Sequence, residues 1–202
     1  MRRLALFAAF GTLLLAAPAS AQRLAEKPPA LVPWWAPREV AIVTFFGNGN
    51  ITPEIRIAWH IPVVQQRIDS LNIIVEGGGG YALGKRDQTN QNGDPPVEML
   101  YQWHIHAGVA YEGDWKQGWH VGARVTTGIT LFGARYTFVD GPLREGMNTA
   151  ATVEGRAEGG YRFGRVVIGL SVGVLQPWSK NPRLYSPNDI GGVSGGIFFN
   201  WR

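Results

Sequence analysis

The stretch Thr152-Val153-Glu154-Gly155-Arg156-Ala157-Glu158-Gly159-Gly160-Tyr161-Arg162-Phe163 decides the fold. Its residues alternate. Val153, Ala157, Tyr161 and Phe163 fall on one parity, Glu154, Arg156, Glu158 and Arg162 on the other. A period of two is the side-chain period of a β-strand, whose successive residues point to opposite faces. One face of this strand is therefore apolar and the other carries four charges of mixed sign.

The pattern recurs in both directions along the chain. From Trp119 to Phe132 the odd positions are Trp119, Val121, Ala123, Val125, Thr127, Ile129 and Leu131, against small and polar even positions that include Arg124. Val166, Ile168, Leu170, Val172 and Val174 share a face, with Gly169, Ser171 and Gly173 opposite. From Met99 the apolar row is Met99, Tyr101, Trp103, Ile105, Val109 and Tyr111, with Gln102, His104 and His106 behind it. Ile55, Ile57, Trp59 and Ile61 oppose Glu54, Arg56 and His60, and Leu71, Ile73, Val75 and Tyr81 oppose Asn72 and Glu76. The last segment, from about Asp189, sets Val193, Ile197, Phe199 and Trp201 against Gly192, Ser194, Gly196 and Asn200. A first segment, about Arg38 to Gly47, alternates weakly. This reading gives eight strands of roughly 10 to 15 residues, long enough to cross a bilayer when tilted.

The connections alternate in length. Gly164-Arg165 is a two-residue hairpin turn, Glu112 to Gly118 is short, and Val63 to Asp69 is moderate. At the other end the segments Leu83 to Glu98, Gly133 to Glu145 and Ser179 to Asn188 are longer and polar, and only Asn48-Gly49-Asn50 is short. Short turns at one end and long loops at the other are the plan of an up-and-down barrel in a membrane.

Composition bounds the alternatives. The chain has 202 residues, no Cys, 27 Gly and a formal net charge of +4. Charged residues make up 17%, against roughly 25% in soluble domains. No Lys/Arg run offers a nucleic-acid surface, so none is expected as a partner. Residues 1–21 read as a signal peptide, with Arg2 and Arg3 before an apolar run from Leu4 to Ala17 and the small-residue site Ala19-Ser20-Ala21. Residues 22–37, with Pro28, Pro29, Pro33 and Pro37, read as a Pro-rich periplasmic lead-in, and 38–202 as the barrel. No later apolar run reaches the ~18 residues a spanning helix needs.

A soluble sandwich also alternates, with its apolar face turned inward. Here the apolar faces outweigh the polar ones, and their aromatic residues collect toward the strand ends. Trp59, Tyr111, Trp119, Tyr161, Phe163, Phe199 and Trp201 fall at the short-turn end; Tyr81, Tyr101 and Trp178 fall near the long loops. Two aromatic girdles are what the two interfaces of a membrane select. The expectation is an all-β, eight-stranded antiparallel barrel in a bacterial outer membrane, with both termini periplasmic, monomeric, touching lipid and lipopolysaccharide.

On these strands, the leader and the terminal Ile197-Phe198-Phe199-Asn200-Trp201-Arg202, the chain resembles the OmpA-like small outer-membrane barrels. The resemblance implies a Gram-negative cell-envelope protein whose last strand is read by the barrel-assembly machinery during insertion. It covers the barrel alone; the peptidoglycan-binding domain that follows the barrel in full-length OmpA has no counterpart in this sequence.

The candidate functional residues lie on the polar face: Glu54, Arg56, Glu76, His104, His106, Arg124, Glu154, Arg156, Glu158 and Arg162. Eight strands leave a lumen that side chains just fill, and buried charges must be paired. The expected role is a salt-bridge network that seals the lumen, in a protein with a structural or surface-interaction role. A small gated, porin-like path through the same residues is one alternative; a lipid A- or phospholipid-modifying enzyme is the other. His104 and His106, with Glu76 on the neighbouring strand, have the donor set of a metal site. Placing Tyr111 opposite Trp119 across the turn pairs His106 with Arg124, however, and an adjacent guanidinium disfavours a cation, so no metal and no cofactor are expected. Ser171 and Ser194 point inward with no His on their strands, so no catalytic residues are assigned. Gly79 to Lys85 imitates a phosphate-binding loop, but Arg86 stands where Ser or Thr is required. The run Gly77 to Gly80 reads instead as room for large neighbouring side chains.

Overall fold

The computed structural model describes residues 33, 35–47, 50–66, 68–83, 97–115, 118–136, 144–178 and 189–201. The proposed leader, most of the lead-in and the outer loops 84–96, 137–143 and 179–188 lie outside these residues. Eight strands form: β1 (Glu39–Gly47), β2 (Asn50–Gln65), β3 (Asp69–Tyr81), β4 (Val97–Asp114), β5 (Trp119–Tyr136), β6 (Arg144–Phe163), β7 (Val166–Pro177) and β8 (Gly192–Trp201). Each pairs antiparallel with the next, and β1 pairs with β8 from Glu39↔Asn200 to Phe46↔Val193. The sheet is thus a closed barrel in sequence order, with no exposed sheet edge.

The sides of the wall follow the parity read from sequence. On β2, Thr52, Glu54, Arg56, Ala58 and His60 are buried, while Ile51, Ile55 and Ile57 are exposed. On β7, Val167, Ser171 and Leu175 are buried, and Ile168, Leu170, Val172 and Val174 are exposed. The outward rows are almost wholly apolar. Among the described residues, the outer wall carries no charge between Arg38 and Asp69 toward the short-turn end and the ion cluster Arg135, Glu98 and Glu145 at the top of β4–β6. An apolar band of this extent, bounded above and below by charge, suits hydrocarbon and not water.

Three details depart from the sequence reading. The register shifts between Met99 and Tyr101, so Leu100 is the extra residue of a bulge. The shift reverses the parity above it, and Met99, expected outside, is buried with Phe132, Ala134, Ala150 and Ile190. The hairpin of β5 and β6 does not end near Phe132 and Thr152; it climbs to Tyr136↔Arg144. The β4–β5 turn is tighter than expected, with Trp115 N–H donating to the Trp119 carbonyl. Tyr111 therefore pairs with Ala123, and His106 with Gly128 instead of Arg124.

Glycine makes this small lumen possible. Large inward side chains lie in register beside glycines: Arg56 beside Gly78, His106 beside Gly128, Glu158 beside Gly122, Arg156 beside Gly173 and Phe198 beside Gly169. A Cβ on Gly78 would stand 2.7 Å from Arg56 Cγ, and one on Gly169 2.6 Å from the Phe198 ring. On the outer wall Gly79 lies under the Trp103 ring and Gly133 under the Tyr101 ring. The glycine run Gly77 to Gly80 is thus strand, packed by its neighbours, and not a phosphate loop.

Candidate functional site: the charged lumen

Nine of the ten polar-face residues singled out from sequence are buried inside the barrel: Glu54, Arg56, Glu76, His104, His106, Arg124, Glu154, Arg156 and Glu158. They come from β2 to β6 and meet around three guanidiniums. Arg56 Nη1 donates to both oxygens of Glu154, at 2.8 and 2.6 Å, and its Nε donates to Glu54 at 3.2 Å. Arg156 Nη2 donates to Glu76 at 2.8 Å, with Nε 3.3 Å from Glu154. Arg124 reaches Glu76 at 3.3 Å, Glu39 at 2.5 Å, and Glu158. Glu76 is the hub, within ion-pair distance of all three arginines. Arg56 also lies over the Phe45 ring, 4.8 Å from its centroid.

The tenth residue is elsewhere. Arg162 keeps the inward parity, but it lies at the short-turn rim, about a third exposed, and pairs with Asp114. Its position one pair from the Phe163↔Val166 turn puts it below the closed part of the lumen.

The network extends through residues not included in that set. Glu39 on β1 joins Arg124 and Arg156. His60 lies between carboxylates, Nδ1 2.5 Å from Glu112 and Nε2 3.3 Å from Glu39. Gln102 donates to Glu54 at 2.6 Å and accepts from the Gly191 N–H at 3.1 Å. His60 was readable, since it shares the parity of Glu54 and Arg56. Glu39 was not, because β1 is apolar on both faces, with Ala41, Val43 and Phe45 inside and Ile42 and Phe46 outside. Carboxylates outnumber guanidiniums here, and His60, His104 and His106 each lie beside a carboxylate.

Apolar side chains close the charged layer from the loop end. Met99, Phe132, Ala134, Ala150 and Ile190 form one cluster there. Along the β1–β8 seam Ala41, Val43, Phe45, Val167, Leu175 and Phe198 form another. Among the described residues, buried side chains from all eight strands line the interior.

Glu76, His106 and Glu154 offer three possible metal ligands within 4.8 Å of one another. Arg56 Nη1 already stands beside these carboxylates, donating to Glu154 Oε2 at 2.6 Å and lying 3.7 Å from Glu76 Oε1. A guanidinium this close disfavours a second cation among the same carboxylates. His106 Nε2 instead shares a hydrogen bond with Thr152 Oγ1 at 2.8 Å, and Thr152 with Thr130 at 2.8 Å. Ser171 and Ser194 are buried, as their parity requires. All four histidines face inward.

The interface aromatics hold their places on the outer wall. Trp119, Tyr161, Phe163 and Phe199 are exposed around the short-turn end, with Trp59, Tyr111 and Trp201 half-buried among them. Tyr81 and Trp178 are exposed and Tyr101 half-buried toward the loop end. Trp119 and Tyr161 pack edge to face, their ring centroids 5.7 Å apart, and Tyr161 leans on Phe163 at 5.1 Å.

No family model matches the chain, and no curated protein is detectably similar to it in sequence. Several solved structures are similar to it. Neisserial surface protein A aligns over 82% of this chain and 95% of its own, at 11% identity and a TM-score of 0.46. The outer membrane enzyme PagL aligns over 81% of this chain and 99% of its own, at 16% identity and a TM-score of 0.47. Ail, the attachment invasion locus protein of Yersinia pestis, solved with the heparin analogue sucrose octasulfate, aligns over 81% and 92%, at 10% identity and a TM-score of 0.38. At such identities no residue role passes from them to this chain.

Proposed function

We propose that this chain is a bacterial outer-membrane barrel with a structural or surface-interaction role, its lumen sealed by the network centred on Glu76. The observation that carries this reading is the burial of that network. Glu54, Arg56, Glu76, Arg124, Glu154 and Arg156 are all within 2% of full burial and ion-paired with one another, although Arg56 Nη2 and Arg156 Nη1 make no hydrogen bond. A conducting path needs water beside its charges, whereas these charges take their solvation from protein groups. The histidines that a lipid-modifying site would draw on as bases are inside, away from the lipid face. Contacts with a partner fall to the loops 84–97, 138–145 and 179–188. Purified barrel in planar bilayers tests the sealed lumen. The expected result is no steady ion conductance; stepwise openings that change with Arg156→Ala would instead favour the gated pore.

A further inference from the structure

The short-turn girdle carries no aromatic residue on β1, β3 or β7. Around that end the outer wall presents Trp59 on β2, Tyr111 on β4, Trp119 on β5, Tyr161 and Phe163 on β6, and Phe199 and Trp201 on β8. There β1 offers Val40 and Ile42 with Arg38 just before them, β3 offers Leu71 and Ile73, and β7 offers Val166 and Ile168; of these strands, the chain entering β1 brings a Trp of its own. The chain entering β1 does not pass under the barrel mouth. Arg38 prolongs the ladder, donating to the Ala58 carbonyl at 2.8 Å and accepting from the Trp201 N–H at 2.9 Å. Upstream of it the backbone turns, Ala36 N–H donating to the Pro33 carbonyl at 2.9 Å. The indole N–H of Trp59, on the outer face of β2, then donates to the Trp35 carbonyl at 3.0 Å. This bond pins the lead-in against the outside of the wall and leaves the Trp35 side chain 67% exposed.

We infer that the end of the lead-in is a membrane-surface anchor: Trp35 supplies the aromatic residue that β1 lacks at this end and inserts among the headgroups and glycerol backbones of the periplasmic-leaflet phospholipids. This inference rests on the outer-membrane reading above. Phospholipid is the occupant because Trp35 is continuous with the uncharged outer wall at Trp59 and Ile61 and lies at girdle level. There an indole can bury its rings while its N–H stays near water.

The chain has no Cys, so a single nitroxide can be placed at either of two sites, Trp35→Cys or Leu170→Cys. The full-length mature barrel is reconstituted in phosphatidylethanolamine–phosphatidylglycerol vesicles, and relaxation by oxygen and by a water-soluble nickel chelate is compared. The label at 170 should be reached by oxygen and shielded from nickel. The label at 35 should be restricted in motion, with accessibility to both agents between that of 170 and that of a freely tumbling peptide. Adding Trp59→Phe, which removes the indole donor while keeping a smaller aromatic ring, should mobilise the label at 35 and raise its nickel accessibility while 170 stays unchanged. If 170 behaves as expected but 35 is as mobile and as open to nickel as a free peptide, the anchor is refuted and the barrel reading stands. If 35 is hidden from both agents, it is covered by protein and the lipid assignment is overturned. If 170 itself is closed to oxygen, both readings fall together.

Discussion

Arg156 shows how much depends on single side chains. It is fully buried, and its guanidinium lies near Glu39, Glu76, Glu154 and Glu158. Removing one partner of a buried ion pair costs about 3–5 kcal/mol, because the charge left behind stays desolvated. Arg156→Ala should therefore lower the free energy of unfolding by that order in urea titrations of the reconstituted barrel, and an unchanged midpoint would argue against a desolvated network. Glycines set the complementary constraint. A Cβ at Gly128 would lie 2.0 Å from the Ile105 carbonyl and 2.7 Å from the His106 ring, whereas Gly155 has nothing within 4 Å. Gly128→Ala should destabilise by at least the ~1–3 kcal/mol of overpacking. Gly155→Ala should be neutral or stabilise by about 0.5–1 kcal/mol, since it relieves the entropic cost of glycine in a strand. The same titrations compare the two, and equal effects would contradict the packing described here.

At the scale of the element, β7 carries the clearest signal. Its exposed row is Ile168, Leu170, Val172 and Val174, and its inner row contains Gly169, Ser171 and Gly173. Leu170→Lys places an ammonium on the apolar wall and should cost about 2–4 kcal/mol near the bilayer midplane. Gly169→Lys should also destabilise, through collision with Phe198. The two causes separate in detergent: a short-chain micelle that lets water reach the wall should rescue Leu170→Lys and leave Gly169→Lys impaired. Strand sidedness was legible in sequence wherever one face is charged, as on β2, β5 and β6. It was illegible on β1, where both faces are apolar and parity carries no sign. The bulge at Leu100 was hidden for a different reason. Adding one residue changes no composition, only the phase, and Met99 is as apolar as an outward residue should be. The height of β5 and β6 was underestimated because Gly133 to Tyr136 and Arg144 to Glu145, within the segment that read as loop, instead pair within the hairpin.

At the scale of the whole molecule, β-barrel closure and lumen filling are two sides of one constraint. Eight strands enclose only as much volume as side chains fill, so glycines on one strand and arginines on the next are selected together. Pairwise parity pointed to which residues are inside, but not to which carboxylate meets which guanidinium. Arg56 and Glu154 are 98 positions apart in sequence, and their contact exists only because the ring closes. The central claim is that the apolar face meets lipid and the charged face meets itself. Nitroxides placed singly from 168 to 174 on β7 in vesicles test it most directly. Oxygen accessibility should peak at 168, 170, 172 and 174 and fall at 169, 171 and 173, with the water-soluble nickel chelate excluded from both sets. Labels at 168, 170 and 172 shielded from oxygen and nickel alike would mean that the apolar face is a protein core, contradicting a barrel in lipid.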